Sequence, residues 1–320
     1  MRHLAVLLLG MLAILAVSFT YASAFAVTVE VSIENLSPEH GQGIAPVSFA
    51  FHDGSFDLFD EGQPASIAVE LMAEDGLNGD PNRRVPLGFF LAAFAAGADP
   101  TKAPSVEDTI AGQFALSAAG LVGGVQDLLF FDRRENPYFG VQLPGETLSV
   151  NVELDDNGNN QQFFSYAGML FPTNDAFIGN DDGTAIRVFD DQGKFIGADF
   201  VIFGSQVWDA GTEVNDEDPE NVPYSLANGL NSVEENGVIH LHEGLLPPGS
   251  GGIVDFEFAG ELIAVNADFS APGYEIARIT MRQVPEPSSL VMTLAAIAVT
   301  SCWSRRLVVP RREKGLTRCD

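Results

Sequence analysis

The sequence predicts an all-β protein: an antiparallel β-sandwich with one or two short helices and long acidic loops. Three observations carry this. Short apolar runs rich in Val, Ile and Phe recur along the chain, and the clearest of them alternate apolar with polar residues, the period of a strand with one buried face. Clusters of Asp, Asn and Gly separate the runs at turn-like spacing, as in sandwich proteins. The body between residues 25 and 283 contains no cysteine, so it must be held by a hydrophobic core, and its length is ample for one.

Taken in order, Val27–Leu36 alternates as a strand, Pro38–Gly43 turns the chain, and Pro46–His52 is a second extended run. Asp53-Gly54 is a tight-turn pair. Gln63–Glu74 changes period: Ile67, Ala68, Leu71 and Met72 share one helical stripe, with Pro64 near the start and Gly76 past the end, which predicts a short helix lying on the sandwich. Glu70 and Glu74 on it are expected to face solvent. Residues 75–84 form a loop. Val85–Ala95 is strongly apolar and fits a buried strand or a helix start equally. Ser105–Gly120 has helical composition, and Leu128–Phe131 resumes an apolar run.

Thr147–Leu154 alternates with Leu148, Val150, Val152 and Leu154 on one face, so Glu153 projects from the other. Asp155–Asn160 is a turn and Phe163–Phe171 the next strand, predicted to return as the hairpin partner of the first. Ala185–Phe189 and Phe200–Trp208 follow as strands, the latter ending at Asp209, with Gly211 permitting a sharp turn. Val238–His242, Ile253–Phe258, Leu262–Asn266 and Tyr274–Arg282 complete the set.

The two ends carry addresses rather than fold. Met1–Ala24 has a short polar start, the apolar run LAVLLLGMLAILAV and the small-residue pattern Ala22-Ser23-Ala24, which together predict a cleaved signal peptide. Residues 284–320 run from Val284-Pro285-Glu286-Pro287 through the apolar LVMTLAAIAVTSCW to Arg305-Arg306. This resembles the PEP-CTERM sorting signal of exosortase substrates in polysaccharide-producing bacteria. The resemblance implies one short transmembrane segment as a temporary anchor, with the basic cluster on the cytoplasmic side, in line with the positive-inside rule. Both cysteines, Cys302 and Cys319, lie in this tail.

The whole chain carries −28. Seven of its sixteen basic residues lie in the two ends, leaving nine between residues 25 and 283 against forty-one acidic ones. Like-charge repulsion excludes nucleic acid and anionic bilayers as partners of such a body and favours cations.

Two motifs single out a site. FSYAGMLFPTNDAFIG (Phe164–Gly179) sets Asp175 just past a strand, and WDAGTEVNDE (Trp208–Glu217) sets Asp209 at the end of another. With SIENLSP, FHDGSFDLFDEGQPAS and AEDG upstream, they resemble the spondin N-terminal domain in its bacterial secreted form. That family comprises matrix and adhesion proteins with a β-sandwich and a bound calcium ion. The resemblance implies calcium ligands at Asp175 and Asp209, matching the strand-end Asp and the DAGT Asp of the family, although PTNDAF lacks the family's Trp. It implies a third ligand on the preceding strand, for which Glu153 is the match, with Asp155 and Asp156 as alternatives. Without the resemblance, both aspartates are ordinary turn caps. Calcium takes six to eight oxygens from carboxylates, carbonyls and water, which three carboxylates and turn backbone can supply.

Other candidates are weaker. His240 and His242, two apart on a strand, share a face and would suit a transition metal if a third ligand converged. Asn180–Gly183 and Asp190–Gly193 have calcium-loop composition, but neither continues to a Glu at the twelfth position. No G-x-S-x-G, H-E-x-x-H, phosphate-loop or body cysteine signature is present, so an enzyme is not expected. The sequence thus predicts an exported cell-surface or matrix protein with a structural calcium ion, whose partner is a matrix protein or a polysaccharide. A carbohydrate-binding or carbohydrate-cleaving sandwich and a ligand-free coat protein are the alternatives.

Overall fold

The computed structural model describes residues 26–82, 105–131, 140–155, 157–218, 221–222, 232–258, 261–262 and 264–285. The signal-peptide segment, residues 286–320 of the sorting segment, the apolar run 85–95, the arginine pairs at 83–84 and 133–134, and Asp156 lie outside them. By its internal contacts the chain divides into residues Met1–Gln283 and Val284–Asp320, and the description below concerns the first unit. Among the described residues, no helix is long and apolar enough to cross a membrane.

The protein is an all-β sandwich of two antiparallel sheets. The first has the order β5 (Thr147–Asp155), β1 (Ala26–Asn35), β13 (Glu275–Gln283), β8 (Ala198–Phe203). The second has seven strands: β10 (His240–Leu241), β9 (Trp208–Asp209), β7 (Ala176–Gly179), β6 (Phe163–Phe171), β3 (Val47–His52) and β4 (Val125–Leu129), with β2 (Gly43–Ile44) also paired to β6. A hairpin, β11 (Glu257–Phe258) and β12 (Glu261–Leu262), stands apart. Among the described residues, three short helices accompany the sheets, α1 (Ile67–Asp75), α2 (Ile110–Leu116) and α3 (Ala118–Leu121), against the one or two expected.

Two apolar layers follow from strand alternation. Val29, Val31 and Ile33 from β1 meet Phe49, Phe51, Phe164, Tyr166 and Ile178 between the sheets. On the outer face of the seven-stranded sheet, Met169, Phe177 and Trp208 meet Val69, Met72 and Ala73 of α1. β6 lies mid-sheet beneath α1, so eight of its nine residues are buried, and it shows no alternation to read.

That difference overturns the predicted hairpin. β5 alternates, pairs with β1 from Ala26↔Asp155 to Glu34↔Thr147, and belongs to the four-stranded sheet. β6 pairs with β3 and β7 in the other. The turn between them crosses from one sheet to its neighbour. The predicted strand 200–208 likewise breaks: β8 joins the first sheet, Gly204–Gln206 makes a 3-10 turn, and β9 joins the second. Only isolated bridges, at Arg187 and Phe189, mark the predicted strand 185–189.

α1 stops before Gly76, as the sequence places it, but starts at Ile67 rather than Gln63. The Ser66 hydroxyl accepts from the Val69 N–H at 3.3 Å, and Gly76 closes the helix in the left-handed region at φ 65. Its buried stripe is Ala68, Val69, Met72 and Ala73, with Ile67 60 % exposed. The expected stripe is therefore turned by one residue, because small alanines let the helix sit close on β6 and β7. Gly76→Ala is expected to cost about 1–2 kcal/mol, since the left-handed conformation penalises a Cβ and that Cβ would lie 3.2 Å from the Ala45 methyl. Urea unfolding with an unchanged m-value measures it.

Candidate metal centre

Packing brings Asp175 and Asp209 together. Trp208 donates its indole N–H to the Gly179 carbonyl at 3.0 Å and, with Phe177, packs edge-on against Phe59. This locks β7 to β9 in the register Ala176↔Asp209, Phe177↔Trp208. Asp175, one residue before β7, and Asp209, the last residue of β9, are both buried, at 0 % and 1 % exposure. They are close enough that Asp209, after burial itself, is the main charge raising the Asp175 carboxyl above the ordinary carboxylate range.

The loop after β9 wraps Asp175. Its Oδ2 accepts from the Thr212 N–H at 2.8 Å, the Thr212 hydroxyl at 3.1 Å and the Glu213 N–H at 3.1 Å. Its Oδ1 is buried with no hydrogen-bond partner. Asp209 accepts from Gly211 N–H at 2.7 Å through Oδ1 and from the Asn215 amide through Oδ2. Gly211 has φ 66, and a Cβ there would meet the Val238 carbonyl at 2.6 Å, so only glycine makes this turn without strain.

Glu153 does not join them. It stands on β5, the outermost strand of the other sheet, exposed, accepting the Thr28 hydroxyl at 2.8 Å across the β1 pair. The resemblance that nominated it places the third ligand on the preceding strand, and here that strand lies in the other sheet. Asp155, at the exposed end of the same strand, shares that sheet.

The residues that do gather are Glu74, which the sequence reading set facing solvent, and Asp75 and Glu213, which it did not assign to the site. Glu74, in the last turn of α1, is pushed up to about 8 by burial and by the Glu213 charge, with the Thr212 hydroxyl opposing. Glu213, 6 % exposed, is also pushed up to about 8, chiefly by burial and then by Asp75 and Asp175. Asp75 reaches about 8 through burial and the charge of Glu74. Glu74 thus fails to face solvent because a loop from far along the chain folds over it. Two acids in a last helical turn without a basic neighbour also oppose the helix dipole. The described arginine ion pairs, Arg187–Asp191, Arg278–Asp199 and Arg282–Asp199, lie on other elements. An i,i+4 helical spacing shows none of this, since it cannot reveal what covers an exposed-looking face.

All these donors are hard oxygens, and Asp175 Oδ1 lacks a partner, so the chemistry fits a hard divalent cation. Among the described residues, no group of three or more His, Cys, Asp or Glu side chains is placed to hold a metal ion.

Two further predicted sites resolve differently. His240 pairs opposite Asp209 across β10 and β9, whereas His242 packs on Phe269 with ring centroids 5.0 Å apart. Asp182 and Asp190 cap their own turns, accepting from Thr184 N–H at 2.7 Å and from Gln192 N–H at 2.9 Å.

One Ser–His contact exists. His52 is buried, with Nε2 2.9 Å from the Ser165 hydroxyl. The Gly54 N–H donates to Nδ1 at 3.1 Å, so the proton sits on Nε2 and histidine donates to serine. A general base needs the reverse arrangement, and burial holds this imidazole neutral, down at about 4.

Fold and site define a two-sheet antiparallel sandwich with a buried acidic centre at the seven-stranded sheet. No protein-family model matches the chain, and no curated protein matches it.

Proposed function

We propose that the protein is an exported cell-surface or extracellular-matrix component, acting in adhesion or matrix binding, whose sandwich is stabilised by calcium at Asp175 and Asp209. Glu213 takes the third carboxylate role in place of Glu153. The observation that carries this is Asp175: a fully buried carboxylate beside a second one, with one oxygen triply bonded and the other without a partner. An uncompensated buried charge pair is costly, and a divalent ion removes the cost. The export and sorting segments support an extracellular setting, where calcium modules bind with Kd of about 10⁻⁴–10⁻³ M.

Thermal melts of the exported protein in calcium and in excess chelator test the reading. At a calcium concentration about tenfold above Kd the stabilisation is about 1.4 kcal/mol, a rise in Tm of roughly 3–6 °C for a domain of this size. Superimposable melts, with no calcium found by metal analysis, sink it.

A further inference from the structure

We infer that β5 is an edge through which two copies of the protein pair, antiparallel and about a twofold axis, joining their four-stranded sheets into one continuous sheet. The pairing is independent of the cation reading. β5 is nine residues long and outermost in its sheet. Among the described residues it pairs with β1 alone, in an unbroken register from Ala26↔Asp155 to Glu34↔Thr147. The other sheet edges are better guarded. β10 has two residues and β4 five, and β8, of six, runs beside a bulge at Glu275/Ala277. Short strands and bulges protect an edge from pairing with another chain, as do Pro and Lys, and β5 contains neither of those residues.

The register decides which backbone groups of β5 are free. Asn35 N–H donates to the Glu146 carbonyl at 3.0 Å, in line with the β1–β5 ladder. Bonded and outward-facing residues alternate along an antiparallel strand, so Leu148, Val150, Val152 and Leu154 bond to β1. Thr147, Ser149, Asn151, Glu153 and Asp155 then turn their N–H and C=O away from it. Asp155 agrees, since its N–H is taken by Gln161 Oε1 at 2.7 Å. Among the described residues, no backbone group meets Ser149, Asn151 or Glu153 on that outer side. On the face toward the core, Leu148 and Val150 are partly exposed, whereas Val152 and Leu154 are buried.

One register makes β5 complementary to itself. With Asn151 on the axis, Leu148 faces Leu154 of the second copy and Val150 faces Val152, while Thr147 faces Asp155 and Ser149 faces Glu153. Each apolar residue meets an apolar one and each carboxylate meets a hydroxyl. The molecule already makes that second kind of pair where the Thr28 hydroxyl donates to Glu153 Oε1 at 2.8 Å. Parallel pairing would instead set Glu153 beside its own copy, which like charge disfavours. The body's forty-one acidic residues against nine basic ones repel a second copy at long range. A contact of one strand pair is also small. The dimer is therefore weak and tightens as salt screens the repulsion, whereas a cationic partner strand would bind less tightly in salt.

Sedimentation velocity of the exported protein from about 1 to about 200 µM, in about 0.05 M and about 0.5 M NaCl, tests this. A monomer–dimer equilibrium that tightens at the higher salt is expected. Ser149→Lys places an ammonium opposite Glu153 twice per dimer and is expected to tighten it about 2–30-fold, and Ser149→Glu to weaken it by a similar factor. Ser149 is on the exposed face, so both variants are expected to melt as wild type does. Asn151→Pro removes an outward N–H and no bond to β1, which an edge strand tolerates, and is expected to abolish the dimer. A protein that stays monomeric at every concentration and both salts overturns the inference. So does a dimer that responds neither to the charge at Ser149 nor to Asn151→Pro.

Discussion

Asp175→Ala is expected to cost about 3–4 kcal/mol of unfolding free energy, whereas Asp175→Asn leaves the cation-free protein as stable as wild type or more so. The alanine removes the acceptor of two backbone N–H groups and one hydroxyl at a buried position, and each stranded donor costs about 1–3 kcal/mol. Part of that loss is offset, because the carboxylate itself is disfavoured by burial and by Asp209. Asparagine keeps an oxygen for the three donors and places an amide, not a second charge, beside Asp209. Both variants lose the calcium-dependent rise in Tm. Chemical denaturation with and without calcium separates the two effects. An alanine variant as stable as the asparagine variant shows that the triple acceptor is not what holds the 210–216 loop.

With divalent ions chelated, stability is expected to increase as pH falls from about 8 to about 6.5. Glu74 and Glu213 have folded values near 8 against 4.5 ordinarily, and Asp75 near 8 against 3.8. Through this window the folded state holds protons that the unfolded chain has released, so folding is favoured by acid, and the contribution is lost as pH rises through about 8. Each group contributes at most about 1.4 kcal/mol per pH unit. His52 has the opposite sign. Its folded value is about 4 against 6.5, so its contribution is lost as pH falls from 6.5 toward 4, which bends the profile over below 6.5. Glu74→Gln is expected to flatten the slope between pH 6.5 and 8 and to raise Tm at pH 8 in chelator. Calcium, favouring the ionised forms, is expected to flatten it as well. Stability that rises with pH across that window in chelator contradicts the buried-acid assignment.

How much of this was legible in the sequence differs by element. β1 and β13 were, because one face of each meets core and the other is more open, so alternation marks them, whereas β3 is buried along its whole length and reads only as an extended run. α1 was bounded by Pro64 and Gly76, which act within a few residues. The partner of β5 was not legible. Val152 and Leu154 say that a face is buried but not against what, and a six-residue turn serves a hairpin and a sheet crossing equally. Glu153 fell with that choice. Asp175 and Asp209 were found because each ends a strand beside a turn residue, and because their motifs resembled a family. Glu74, Asp75 and Glu213 were missed as neighbours of those aspartates, because what brings them together is the packing of the loop after β9 on α1, which are distant in the chain.

The sequence by itself determined the class of fold, most strand positions and the cysteine-free acidic body, all of which follow from residue type and local period. Only the tertiary structure decided which sheet each strand joined, and therefore which acids share the buried centre. Coulombic repulsion and desolvation depend on distance and cover in space, and neither is written in the spacing of residues along the chain.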